Sequence, residues 1–125
     1  MKAKILIVDD SSLARRSSRR ILEGMGMTVE EATGGAQALE KFFLNRPDLV
    51  LLDMVMNGMY GLDVLTKLKE LDPGVRVIVA TADIQKSTRE QAKAGGAAGF
   101  VNKPLDAAKL RELIAKVLEG ADTWI

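Results

Sequence analysis

The sequence predicts a doubly wound α/β domain, a five-stranded parallel sheet with helices on both faces. Three observations lead there. Short aliphatic runs alternate with helical patterns five times within 125 residues. The main runs are apolar throughout and lack the polar–apolar alternation of a strand with one wet face, so they read as buried on both sides. The links between units are short, and strand–helix alternation with short links gives parallel strands joined by right-handed crossovers.

The first strand is KILIV (4–8), and Ser11 or Ser12 then starts a helix over 12–23 that Gly24 and Gly26 stop. A second strand, TVEEA (28–32), precedes a helix over 35–45. The third strand, LVLLD (49–53), is followed by a helix over 61–71, and the fourth, VRVIVA (75–80), by a helix over 84–94. The last strand is GFV (99–101). The last helix spans 106–119, with Asp106 as cap, Leu110, Leu113, Ile114, Val117 and Leu118 at helical spacing, and Gly120 after it. No linker, low-complexity tract or fixed-period repeat divides the chain, so residues 1–125 read as one domain.

Composition removes several classes of chemistry. There is no cysteine and no histidine. Disulfides, thiolate nucleophiles, histidine metal ligands and histidine-based triads are therefore excluded. Eighteen basic and seventeen acidic residues give a net charge of +1, with no bias toward nucleic acid or an anionic membrane. The apolar run in MKAKILIVDD is too short for a signal peptide or a membrane span. A cytoplasmic location is expected.

In a sheet of this class, ligands bind beyond the carboxyl ends of the strands, where the strand order reverses. The first strand ends in Asp9 and Asp10, the third in Asp53, the fourth in Thr81 with Asp83 two residues on, and the fifth in Asn102, Lys103 and Pro104. With strand order 2-1-3-4-5, Asp53 sits beside Asp9 and Asp10. Three adjacent carboxylates are costly unless a cation compensates them. A hard divalent ion with oxygen ligands, Mg2+, fits such a set. Lys103 adds one positive charge and Thr81 a hydroxyl. An aspartate can attack phosphorus to form an acyl phosphate, and Asp53, at the end of the central strand with acids beside it, is the candidate nucleophile.

The stretches ILIVDDSS, PDLVLLDMVM, VIVATAD and AGGAAGFVNKPL, in this order and spacing, resemble a response-regulator receiver domain of the single-domain, CheY-like type. The resemblance covers essentially the whole chain. It implies a CheY-like, flavodoxin-like fold in which Asp53 is the phospho-acceptor. Asp9, Asp10, Asp53 and the Val55 backbone carbonyl would hold Mg2+, and Lys103 would contact the phosphoryl group across a cis bond to Pro104. Thr81 and Phe100 would form the switch pair that remodels the face of the fourth helix, fifth strand and fifth helix. The implied partners are a histidine kinase or histidine phosphotransfer protein upstream and a protein target downstream, with no nucleic acid and no membrane. The chain would be a monomer or a weak phosphorylation-dependent dimer. It would be a signalling switch and not a turnover enzyme, with chemotaxis one setting. Departures from the family pattern are Asn57, where many receivers have proline and a more mobile loop is expected, and Val55 with Asp83, which imply an unusual phosphoaspartate lifetime.

Plainer alternatives accompany these expectations. Asp9 and Asp10 could serve only as charges at a helix start. Phe100 could be ordinary packing, and Lys103 a solvated lysine before a turn proline. RRSSRR (15–20) could be a solvated helix face or a docking surface for the phosphodonor. Met54, Met56 and Met59 suit packing and not a hard ion. The segment ADTWI (121–125) could pack, fray or anchor a partner. At the level of the whole protein, the rivals are a flavodoxin-like cofactor carrier and a small-molecule phosphatase. A receiver excised from a longer regulator is a third alternative; Met1 and the complete last helix favour a stand-alone protein.

Overall fold

The computed structural model describes residues 2–56 and 59–125, and the side chain of Met59 also lies outside the description. Asn57 falls outside the described residues, and with it the expectation of a mobile loop there. The strands are β1 (Lys4–Val8), β2 (Thr28–Ala32), β3 (Leu49–Asp53), β4 (Val55–Met56), β5 (Met59–Tyr60), β6 (Val77–Thr81) and β7 (Gly99–Asn102). The helices are α1 (Ser12–Gly24), α2 (Gly35–Asn45), α3 (Gly61–Leu71), α4 (Lys86–Ala94) and α5 (Ala107–Leu118). The main sheet runs β2-β1-β3-β6-β7 and all its neighbours pair parallel. Counted along that sheet alone, this is the predicted order 2-1-3-4-5.

Period two in the strands builds two cores. Leu6, Val8, Val50, Leu52, Val77 and Val79 point to one face, where Phe42 of α2 and Val64, Leu65 and Leu68 of α3 cover them. Ile5, Ile7, Leu49, Leu51 and Ile78 point to the other, under Leu22 of α1 and Leu110, Ile114 and Val117 of α5. Each fully buried Leu or Ile contributes about 1.5–3 kcal/mol of hydrophobic transfer. This two-sided burial holds the three central strands rigid and fixes where their carboxyl ends emerge.

Two helices carry the predicted caps. Ser11 Oγ accepts from the Ala14 N–H at 3.2 Å, and Asp106 Oδ1 accepts from Ala108 N at 2.9 Å and Lys109 N at 3.2 Å. Each satisfies helix N–H groups that have no partner within the helix. Two expected starts move by two residues, and the other boundaries shift by one at most. The fourth main strand begins at Val77, because the Val75 N–H bonds Asp72 O in a turn although Val75 is buried like a strand residue. Its helix begins at Lys86, after an extended Gln85. The small antiparallel hairpin β4–β5 has no counterpart in the sequence reading.

Candidate functional site

The sheet order reverses between β1 and β3, the place where ligands bind in this architecture. Register sets Val8 opposite Leu52, so the residues that follow both strands emerge side by side. One carboxylate oxygen from each of Asp9, Asp10 and Asp53 can be chosen so that all three lie within 4.8 Å of one another. Asp9 is buried, Asp10 exposed and Asp53 in between. Lys103 reaches them from the far end of β7. Its Nζ lies 2.6 Å from Asp9 Oδ2 and 3.7 Å from Asp53 Oδ2. Of the expected set 9, 10, 53, 81 and 103, the geometry brings the side chains of 9, 10, 53 and 103 together.

Asp9, Asp53 and Lys103 are held from behind. The Asp9 Oδ1 accepts from Ser11 N at 2.9 Å, its N–H donates to Ala32 O, and its carbonyl accepts from Arg15 Nη1 at 2.8 Å. Since Ser11 caps α1, the second Asp9 oxygen, Oδ2, is left to Lys103 and the pocket. Asp53 Oδ1 receives a long 3.4 Å bond from the Val55 N–H. The Lys103 N–H donates to Thr81 O at 2.8 Å, which ties β7 to the end of β6, and the Lys103–Pro104 bond is cis.

The electrostatics of Asp53 follow from this crowding. Burial raises its pKa above the ordinary 3.8; Lys103 pulls the other way, and the charges of Asp9 and Asp10 push it up further. Burial and negative neighbours both disfavour the ionised form. A third charge is tolerated beside the pair because Lys103 lies between Asp9 and Asp53. Three carboxylates at this spacing are hard oxygen donors, and they fit a small divalent cation that keeps part of its water shell.

Thr81 is fully buried, one residue beyond Ala80, the register partner of Asp53. Its hydroxyl accepts from the Asp83 N–H at 3.1 Å. Asp83 turns to α4: its carboxylate accepts from Thr88 Oγ1 at 2.6 Å and from Gln85 N at 2.9 Å, and these bonds, Thr88 first, hold its pKa below 3.8. Phe100 is half-buried against the α3 face of the core and lines a surface cavity of about 490 Å3 with Arg89, Lys103, Lys109 and Leu113. Val55 is exposed, and Met54 and Met56 are buried as packing.

The sequence reading missed the partner of the arginine cluster. Arg15 and Arg19 grip Glu31 of β2, at 3.0 and 2.6 Å. The pairs lower the Glu31 pKa, the Arg19 hydrogen bond most, with the Arg15 bond adding to it. Spacing of four put both arginines on one face, but only the fold shows that this face looks onto β2. Arg16 and Arg20 remain exposed.

The family model described as the response regulator receiver domain matches residues 5–115. The chain belongs to this receiver family. It is 40% identical to the chemotaxis protein CheY of Bacillus subtilis over 94% of this chain and 99% of that one. It is 37% identical to the sporulation initiation phosphotransferase F of the same organism, over 94% and 95%. Among solved structures, a CheY-like receiver domain protein from Methanospirillum hungatei superposes with a TM-score of 0.89 at 30% identity, covering 96% of both chains. This receiver is thus a component of two-component signalling with a CheY-like fold. Among the described residues no helix is long and apolar enough to cross a membrane.

Proposed function

We propose that residues 1–125 act as a phosphorylation-controlled switch, in which Asp53 accepts a phosphoryl group from the phosphohistidine of a histidine kinase or histidine phosphotransfer protein. One observation carries this reading: three carboxylates and one lysine converge at the switch point of the sheet. A carboxylate oxygen of Asp53 attacks phosphorus, the phosphorus–nitrogen bond breaks, and its electron pair stays on the departing imidazole. The product is an acyl phosphate on Asp53. Asp9, Asp10, Asp53 and the Val55 carbonyl would hold Mg2+, which when bound offsets negative charge on the acids and on phosphoryl oxygens. Lys103, now on Asp9, would turn its ammonium to the phosphoryl group.

Thr81 and Phe100 would carry the change outward. The hydroxyl would trade its bond with the Asp83 N–H for a phosphoryl oxygen, and Phe100 would move into the space vacated beside it. A protein target would then read the α4–β7–α5 face. The setting is the cytoplasm, chemotaxis is one context, and the protein acts as a monomer or a weak dimer on phosphorylation. Incubation with a phosphorylated histidine phosphotransfer domain and Mg2+, followed by mass spectrometry, tests the reading. A gain of one phosphoryl group, lost in Asp53→Asn and without Mg2+, supports it. Equal labelling of native protein and Asp53→Asn refutes it.

A further inference from the structure

α4 is thinly anchored. Its sequence, KSTREQAKA, contains no large apolar residue, and only Thr88 and Ala92 are buried. Short helices owe most of their stability to packing of an apolar face, and this helix has little of one. The missing hold comes from the segment after α5. Trp124 lies half-buried against the same core cluster as Phe100. Its indole Nε1–H donates to Ala97 O at 3.0 Å, and Thr123 Oγ1 donates to Ala98 O at 2.7 Å. Both acceptors lie just before β7, the edge strand of the sheet, where unpaired backbone groups would otherwise face outward.

The ring also grips the helix directly. The guanidinium carbon of Arg89 stands 5.0 Å from the Trp124 centroid and the Lys93 ammonium 6.0 Å. Spacing of four puts these two cations on one face of α4, and a cation within about 6 Å of an indole face is attracted to it. Arg89 has a second role, since it lines the cavity in front of Phe100. A single arginine therefore joins the segment after α5 to the wall of the Phe100 cavity.

We infer that residues Ala121–Ile125 form an intramolecular latch that clamps α4 across the edge of β7, with Trp124 as its bolt. The latch sets how freely α4 and the cavity wall move. A protein docking on the α4–β7–α5 face meets Trp124 and Arg89 first and must displace or incorporate them. The clamp stands on the contacts alone; its link to signalling rests on the reading of Asp53 and Phe100 given above.

Amide hydrogen exchange tests the clamp in native protein, Trp124→Ala, Trp124→Phe and Arg89→Ala. Local opening exposes only the segment that opens. Trp124→Ala is expected to speed exchange in α4 by about tenfold while β1 and β3 keep native rates, with Trp124→Phe and Arg89→Ala in between. Unchanged α4 rates, or an equal acceleration in β1 and β3, overturn the latch. A second arm follows the Trp124 indole N–H by NMR on adding Mg2+ and beryllofluoride, a phosphoryl mimic, with the Asp53 amide as gauge of loading. Movement of both resonances supports coupling, and an indole fixed while Asp53 moves overturns it. An unmoved Asp53 amide counts against the acceptor reading instead, and the exchange rates then decide the clamp.

Discussion

Gly61, the first residue of α3, is where the backbone of the candidate site tolerates least. A Cβ built there would stand 2.3 Å from Asp53 O, 2.6 Å from Met54 Cα and 3.1 Å from Asp53 C. Non-bonded contacts need about 3.5 Å, so β3 and α3 would have to part by about 1 Å. Neither side is free to move. The Gly61 N–H bonds Met54 O at 2.9 Å, and Val64, Leu65 and Leu68 lock α3 into the core. Overpacking of this kind costs about 1–3 kcal/mol, and the strained hydrogen bond adds about 1 kcal/mol. Gly61→Ala is therefore expected to lose about 2–4 kcal/mol, or about 10 °C in Tm for a domain of this size. Because the displaced atoms belong to Asp53, phosphoryl acceptance should also fall, by about 100-fold for a 1 Å misplacement. Gly24→Ala is the control. Nothing lies within 4 Å of a Cβ there, the residue closes α1, and a gain of about 0.5–1 kcal/mol is expected. Thermal unfolding by circular dichroism and initial labelling rates read both effects. A Gly61→Ala protein with native Tm and native labelling rate would refute the claim that strand and helix are wedged together at Asp53.

Three further expectations follow from the same contacts. Lys103→Met strips Asp9 of its 2.6 Å partner, so without Mg2+ it should lower stability by about 1–3 kcal/mol; with a competing cation gone, Mg2+ affinity by calorimetry should rise, and a fall contradicts the charge argument. Glu31→Gln breaks the pairs to Arg15 and Arg19, which are partly exposed, and should cost about 1 kcal/mol. Because the Glu31 pKa is lowered from 4.5, its contribution is present above 4.5 and lost as pH falls through the lowered folded value, a loss that urea unfolding should find in native protein and not in Glu31→Gln. Asp53 has the opposite sign. Its raised pKa means that Mg2+-free stability declines as pH climbs from the ordinary 3.8 through the raised value, so Asp53→Asn should be the more stable protein in Mg2+-free urea unfolding at pH 7.

Much of the fold was legible because burial on both faces leaves a plain mark. Runs such as LVLLD and KILIV fit little except central parallel strands, and the charged residues at their ends are then positioned by topology. Contacts set by tertiary packing were not legible. Val75 is as apolar as Val77, and only a hydrogen bond to Asp72 separates turn from strand. Val55–Tyr60 is too short for periodicity to reveal a hairpin. Asp83 looked like a rim acid until Thr88 and Gln85 drew it to α4. The arginines of α1 gave no sign of Glu31, because the approach of α1 to β2 is a property of the assembled sheet. The position of Trp124 on α4 depends in the same way on where the segment after α5 runs.

The central claim is that Asp9, Asp10, Asp53 and Lys103 form one cation-dependent acceptor pocket. Fluorine NMR of beryllofluoride measures this most directly, because the mimic bonds to a carboxylate oxygen and a divalent ion and a cationic side chain beside it offset its negative charge. The account predicts a bound signal in native protein with Mg2+, and none in Asp53→Asn or after the metal is chelated. A bound signal that survives both changes, or none in native protein at saturating Mg2+, would contradict it.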